Sequence, residues 1–437
     1  MKKEDTVLSF VTKHFLLSAA AIAVTVLLCF SSVSETKAGT ADKPDAWDII
    51  SQMTIGWNLG NSLDSVYWND HPTPQQSATA WNNPEPNREL FQTVKNLGFN
   101  TVRIPVTWYQ HMEYNSATDH YDIDEDWMTY VKNTVNYAYD LEMFVIINVH
   151  HENWINVDYF NDTNLQRAKK ILKDVWEQIS AEFADYDYHL IFEGMNEPRQ
   201  TYDAAVEWGN GDENAWNYIN ILNSVFIDTV RSSSSAWNQN RLLMIPSYHA
   251  TDNAEALHHL TIPSNAGNVA ISVHAYEPYS FTMDTTEKHI YETNNQYGAY
   301  IPQLLTNVMN DLKEVQQSKG VPIVIGEFGA SDFNNTEERV KWATDYITKA
   351  KEAGFVCVLW DNNANDNFAS GENLGCINRA DNQLYPNAQA VVHALTSAYQ
   401  QNNSNAVPLY QSDGTQLAAW SGFTVTEDLS YINNRYN

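Results

Sequence analysis

Short β-rich apolar runs alternate along this chain with longer stretches whose apolar positions recur at helical spacing. The run Thr54 to Leu59 predicts a first strand and Arg88 to Leu97 a helix. Asn100 to Ile104 reads as the second strand, Asp124 to Leu141 as a helix opened by the acidic turn Asp124, Glu125, Asp126, and Phe144 to Asn148 as the third strand. A helix from Asn164 to Phe183, a strand at Leu190 to Phe192, a helix from Ala215 to Arg231 and a strand at Leu242 to Ile245 follow. After a short irregular crossover come Val269 to Val273, the helix Pro302 to Ser318, the strand Ile323 to Ile325, the helix Glu337 to Ala353 and the strand Phe355 to Leu359. Eight β/α units with helical crossovers call for a parallel sheet. Their number favours a closed (β/α)8 TIM barrel over an open doubly wound sheet. No Gly-x-Gly-x-x-Gly turn follows a strand, so a dinucleotide site has no support.

The two ends depart from this rhythm. Lys2, Lys3 and Lys13 precede an uncharged apolar run from Phe15 to Phe30, and small residues follow at Ala38, Gly39 and Ala41. Residues 1–40 therefore read as a secretory signal peptide, and the protein as secreted. The run is just short of a comfortable membrane span, which leaves an uncleaved membrane anchor open. Residues 41–399 are the expected catalytic domain. Residues 400–437, rich in Asn, Gln and Ser, are a polar extension or linker.

Charge narrows the partners. A formal net charge of −29, from 25 Lys and Arg against 54 Asp and Glu, makes nucleic acid and anionic lipid poor partners. Beyond the leader only Cys357 and Cys376 remain, for which two buried free thiols are at least as well supported as one bridge. Tryptophans inside helical stretches (Trp127, Trp176, Trp342) read as core. Those just beyond strands (Trp108, Trp154, Trp208, Trp360) are divided between packing and stacking on the C–H face of a sugar.

In a barrel of this kind the reactive groups come from the C-terminal ends of several strands. Those ends carry Asn58 and Asn61, Arg103, His150 and His151, Asn196 and Glu197, His249, His274 and Tyr276, Glu327, and Trp360. Glu197 and Glu327 stand 130 residues apart, each just after a buried strand. An acid and a nucleophile about 5–5.5 Å apart would suit hydrolysis of a glycoside with retention. Adjacent strand residues face opposite ways, which favours His150 over His151. Glu152 and Asp64 suit sugar binding or the capping of turn backbone.

The ordered strings Gly56-Trp57-Asn58-Leu59-Gly60-Asn61, Val102-Arg103-Ile104-Pro105, Asn148-Val149-His150-His151-Glu152, Asn196-Glu197-Pro198, Val273-His274-Ala275-Tyr276, Gly326-Glu327-Phe328-Gly329 and Leu359-Trp360 span Ala46 to Tyr399. Together they resemble glycoside hydrolase family 5, the cellulase family of clan A. Trp81-Asn82-Asn83-Pro84 and Asn373-Leu374-Gly375 add a resemblance to its bacterial endo-β-1,4-glucanase and xyloglucanase branch. The resemblance implies that Glu197, after strand four, is the general acid and then base, and that Glu327, after strand seven, is the nucleophile. Arg103 and Tyr276 would hold Glu327 ionised, and Asn196 would bond the sugar 2-hydroxyl. His150, His151 and His274 would bond hydroxyls or orient carboxylates, Trp360 would floor the subsite of the attacked sugar, and Asn58 and Asn61 would bind or orient. Burial and the charge of Glu327 are expected to raise the pKa of Glu197. A monomer acting on a β-glucan polysaccharide, with no cofactor and no metal, is expected. β-Mannan, xylan and xyloglucan stay open as substrates on the same scaffold. A metal-dependent barrel hydrolase lacks the His-x-His or His-Glu-x-x-His spacing it would need, and a non-catalytic sugar-binding barrel is disfavoured by the presence of both carboxylates.

Overall fold

The computed structural model describes residues 43–400, with the backbone alone at position 400. The expected signal peptide and the polar C-terminal extension lie outside the described residues. Eight strands, β1 (Gly56–Asn58), β2 (Thr101–Ile104), β3 (Phe144–Asn148), β4 (Leu190–Glu193), β5 (Leu243–Thr251), β6 (Val269–His274), β7 (Ile323–Phe328) and β8 (Val356–Leu359), pair in parallel with their sequence neighbours. β8 closes on β1. The helices after these strands are α1 (Arg88–Asn96), α2 (Glu125–Tyr139), α3 (Asp162–Glu182), α4 (Glu213–Arg231), α5 (Ala254–His259), α6 (Ile301–Lys319), α7 (Thr336–Ala353) and α8 (Gln389–Gln400). The expected (β/α)8 barrel is the fold observed.

Local chemistry sets the helix ends. Asn87, Asn161 and Asp212 cap α1, α3 and α4 by accepting a backbone N–H three residues on. Pro302 sits in the first turn of α6, where its missing N–H is not needed, and Gly320 and Gly354 end α6 and α7 in the left-handed region. The crossover expected to be irregular contains α5, six residues capped by Asn253 and too short to show a helical period in the sequence. A hairpin of Met112–Asn115 with His120–Ile123 follows β2. Its short strands, half-buried or exposed except at Ile123, gave no apolar alternation to read.

Alternate strand residues divide into two cores. Val102, Val145, Ile147, Phe192, Ile245, Ile271 and Ile325 face the helices. Ile146, Ile191, Met244, Ala270, Val324, Val356 and Val358 form the other core with Ala46, Ile49, Ile50 and Met53. The short helix Ala46–Gln52 thereby stops the N-terminal end of the barrel. Each such aliphatic side chain contributes roughly 1.5–3 kcal/mol when fully buried. With its lower half apolar, the barrel can carry a polar layer above, of Asn58, Arg103, Glu193 and Ser272, all fully buried.

One irregularity aims the site. Val273 pairs with Ile325 and His274 with Glu327, so β7 carries one extra residue against β6. A matching shift occurs against β8, where Cys357 pairs with Ile325 and Leu359 with Phe328. The bulge bends β7 and re-aims the side chains beyond it. A Cβ at Gly326 would stand 3.3 Å from Ser272 Oγ and 3.6 Å from Glu193 Oε1. Glycine lets the strand close over the polar layer while Glu327 is presented beyond it.

Candidate active site

Arg103 is the node of the polar layer. From β2, with no exposed surface, its Nε donates to Glu193 Oε2 (2.7 Å), Nη1 to Glu327 Oε1 (2.7 Å) and Asn58 Oδ1 (3.0 Å), and Nη2 to Asn196 Oδ1 (2.7 Å). Burial by itself would push this guanidinium down, but the charges of Glu193 and Glu327 outweigh it and hold it up. Asn58 donates in turn to the carbonyls of Gly326 (2.9 Å) and Val358 (3.1 Å), tying β1 to the bulge. Asn58 is fully buried, so it orients and touches no sugar.

Glu327 is gripped from both sides, by Arg103 and by the Tyr276 hydroxyl, which donates to Oε2 over 2.8 Å. Two strong donors, one on each oxygen, fix its direction. Burial, then the charge of Glu327, pushes the Tyr276 phenol well above its ordinary range, so it stays a donor. Glu197 follows β4. Its Oε1 lies 2.6 Å from His274 Nδ1, which also lies 3.6 Å from Glu327 Oε2. One oxygen of each glutamate and a ring nitrogen of His274 all fall within 4.8 Å of one another. Facing two carboxylates, Nδ1 carries a proton.

The expected rise of the Glu197 pKa does not occur in the free site. Burial pushes the carboxyl up, but the hydrogen bond and charge of His274, then Arg199 and His249, outweigh it and hold it down to about 2. For His274, burial pushes the imidazole down, while the charge of Glu327 and the bond to Glu197 bring it above its ordinary value. The two groups share one proton, which rests on the ring.

An aromatic wall stands beside the carboxylates. Trp360 lies parallel to the His150 ring, centroids 6.0 Å apart at 5°. Gly60 permits this, since a Cβ there would come within 2.8 Å of Trp360 Cζ2. Asn148 donates from Nδ2 to His150 Nδ1 (3.0 Å) while its Oδ1 accepts from the Val106 amide, which leaves Nε2 of His150 as the N–H. Burial, then His151 and Arg103, hold this imidazole well below its ordinary range. His151 meets it edge-on at 4.3 Å, packs against Trp81 and faces Asp64 O with its Nδ1 (3.0 Å), so both histidines rim the site. Asn61, in the left-handed region at φ 57°, is tied through its backbone amide to Asp64 and joins no carboxylate of the catalytic pair.

The structure decides several readings that the sequence left open. Trp108 and Trp154 are buried: Trp108 donates its indole N–H to Asn148 O (3.0 Å) and Trp154 to Glu152 Oε2 (2.6 Å), so neither is a sugar platform. Trp208 is 55 % exposed and Trp360 8 %. Glu152 and Asp64 satisfy backbone N–H groups of Trp108, and of Asn61 and Ser62. Cys357 and Cys376 are buried free thiols. His249 bonds the Gly209 carbonyl, and His258 and His259 end α5 in solvent.

The sequence reading missed Glu193. It accepts from Arg103, Asn148 and the Ser272 hydroxyl, deep in the barrel. The available signal was a charge two residues after Ile191 on the same strand face. It also missed Arg199, whose Nη1 donates to Glu197 O (2.9 Å). Among the described residues three groupings have the spacing of a cation site: Glu197, His274 and Glu327; Asp64, His150 and His151; and His120, Asp174 and Glu177. Their atoms are already engaged, by Arg103 in the first, by turn amides in the second and by Lys170 and Lys173 in the third.

A closed (β/α)8 barrel that brings two carboxylates this close at the ends of β4 and β7 has the layout of a retaining glycoside hydrolase. The family model for cellulase (glycosyl hydrolase family 5) matches residues 65–366. The chain belongs to glycoside hydrolase family 5. It is 42 % identical over 347 residues to endoglucanase B of Neocallimastix patriciarum, covering 78 % of this chain and 69 % of that one. With endoglucanase 1 of Ruminococcus albus it shares 38 % identity over 81 % of this chain and 82 % of the relative. Among solved structures, a GH5-4 broad specificity endoglucanase from Ruminococcus flavefaciens superposes with TM-score 0.75 at 40 % identity, covering 82 % of this chain and 99 % of that one. A GH5 lichenase from Caldicellulosiruptor, solved as a point mutant in complex with cellotetraose, gives 0.73 at 35 % identity, covering 82 % and 96 %.

Proposed function

We propose that this glycosidase is a secreted endo-β-1,4-glucanase in which Glu327 is the nucleophile and Glu197 the acid and then the base. The observation that carries the assignment is the unequal treatment of the two carboxylates. Glu327 is held by two donors, Arg103 and Tyr276, whereas Glu197 shares a proton with His274. In the first half-reaction Glu327 attacks the anomeric carbon. The shared proton crosses from His274 Nδ1 to Glu197 and on to the departing oxygen. In the second half-reaction Glu197, ionised, takes a proton from water as that water displaces Glu327. Asn196 accepts from Arg103 through its oxygen, which leaves its amide N–H2 to bond the 2-hydroxyl. Names of the relatives support a glucan substrate, cellulose or mixed-linkage β-glucan first. The basic and apolar leader at residues 1–40 supports export.

The test separates the glutamates. Glu327→Gln is expected to abolish turnover of every β-glucoside. Glu197→Ala is expected to form the glycosyl-enzyme from an aryl cellobioside with an acidic leaving group and then stall. Azide should restart it and yield β-glycosyl azide, since a small anion needs no general base. Azide with Glu327→Ala should give the α-azide if it gives anything. Exchanged product configurations would reverse the two roles. A panel of barley β-glucan, carboxymethylcellulose, xyloglucan, glucomannan and xylan ranks the substrates.

A further inference from the structure

Arg199 lies two residues beyond Glu197 and belongs to no motif that marked the site. Its side chain is largely enclosed, 13 % exposed, and held at three points. Nε donates to Glu207 Oε1 (3.0 Å), Nη1 donates to the Glu197 carbonyl (2.9 Å), and the guanidinium lies 4.4 Å from the centre of the Trp208 ring. Trp208 is itself steadied by the edge of His249 at 5.7 Å and ends the short helix Ala204–Glu207. So held, Nη1 stands 3.5 Å from Glu197 Oε2 without a directed hydrogen bond. His274 takes the other oxygen, Oε1. Glu197 thus stands between two nitrogen groups of different kinds. His274 can lend a proton; a guanidinium cannot, and acts only as fixed charge.

Other charged or titratable groups also act on Glu197. His274 from β6 and His249 from β5 favour its ionised form, while Glu372, from the loop after β8, and Tyr276, after β6, feel its charge in turn. Glu327, on β7, reaches it through His274. Arg199 is the fixed positive charge among them, because Arg103 is committed to Glu193, Glu327 and Asn196.

We propose that Arg199 is a positioning residue for the second half-reaction, tethered by Glu207 and Trp208 so that its charge favours the ionised Glu197 that must act as base. The proposal rests on the acid and base roles given above to Glu197. It has a cost in the first half-reaction, where the same charge opposes protonated Glu197, so removing it should affect the two steps in opposite senses.

Arg199→Met and Arg199→Lys test this in the full chain. An aryl cellobioside with a highly acidic leaving group needs no proton donor, so its kcat reports deglycosylation. Arg199→Met is expected to lower that kcat about tenfold, with azide restoring most of the loss, and to move the alkaline limb of kcat/KM on cellotetraose upward by about one pH unit, since the proton that Glu197 and His274 share is held longer once the nearby cation is gone. Arg199→Lys, which keeps the charge, should return the limb most of the way to the wild-type position. An unmoved limb in both variants, or equal slowing of both steps without azide rescue, would overturn the proposal. Failure of the underlying roles would show separately, as a Glu197→Ala enzyme that azide does not rescue while Arg199 is intact.

Discussion

Arg103 donates to four different side chains at once, Glu193, Glu327, Asn58 and Asn196, and this geometry is out of reach of a lysine. Arg103→Lys keeps the charge but loses the fork, and each lost bond to a charged group is worth about 1.5–3 kcal/mol. A kcat some 10–100-fold lower, with little change in KM, is the expected outcome in steady-state kinetics. Glu193→Gln acts differently, because it leaves a buried guanidinium short of one countercharge. A loss of roughly 3–5 kcal/mol in urea unfolding is expected. Much of the site was legible in the sequence because its residues stand just after apolar runs, where a polar group has few structural reasons to be. Glu193 and Ser272 were not: Ser272 lies inside the run Val269 to Val273, Glu193 proves to be the last residue of β4 and not part of the loop beyond it, and only the strand register turns them inward. The direction of the Glu197 shift was also illegible: it depends on His274 standing within hydrogen-bond reach of the carboxylate.

At the level of elements, the loop after β1 and the end of β8 are fitted to each other through one missing side chain. Gly60→Ala would press a methyl against Trp360 and the Asp361 carbonyl, 2.9 Å away. Overpacking of this kind costs about 1–3 kcal/mol, and here the cheapest relief is a tilt of the indole. A fall in kcat/KM larger than the change in melting temperature accounts for is the expected reading. The hairpin and α2 carry a pH dependence. His111 stacks on Trp127 at 4.0 Å and bonds Ser77, and burial, then His71, pushes its imidazole down to about 4. Its folded pKa lies below the unfolded value near 6.5, so the unfolded chain binds the proton first. Stability is complete above about pH 6.5 and is lost as pH falls toward 4, by of order 3 kcal/mol at most. Thermal melts of His111→Gln from pH 7 to 4 should fall less steeply than those of the wild type. The eight-unit rhythm was readable because α1 to α4, α6 and α7 are long enough to repeat an apolar face. α5 and the hairpin were not.

Across the whole molecule the acidic balance acts on substrate encounter. A neutral glucan is indifferent to the charge of −29, but carboxymethylcellulose is repelled by it. Raising salt from about 0.01 to 0.15 M shortens the screening length from roughly 30 to 8 Å. KM for carboxymethylcellulose is expected to drop several-fold over that range while KM for barley β-glucan stays level. An equal response of both polymers would remove electrostatics from the account. The helix Ala46–Gln52 has a topological meaning as well. A barrel stoppered below can be entered only from the end that bears the carboxylates, so water and both products must leave by the way the substrate came in.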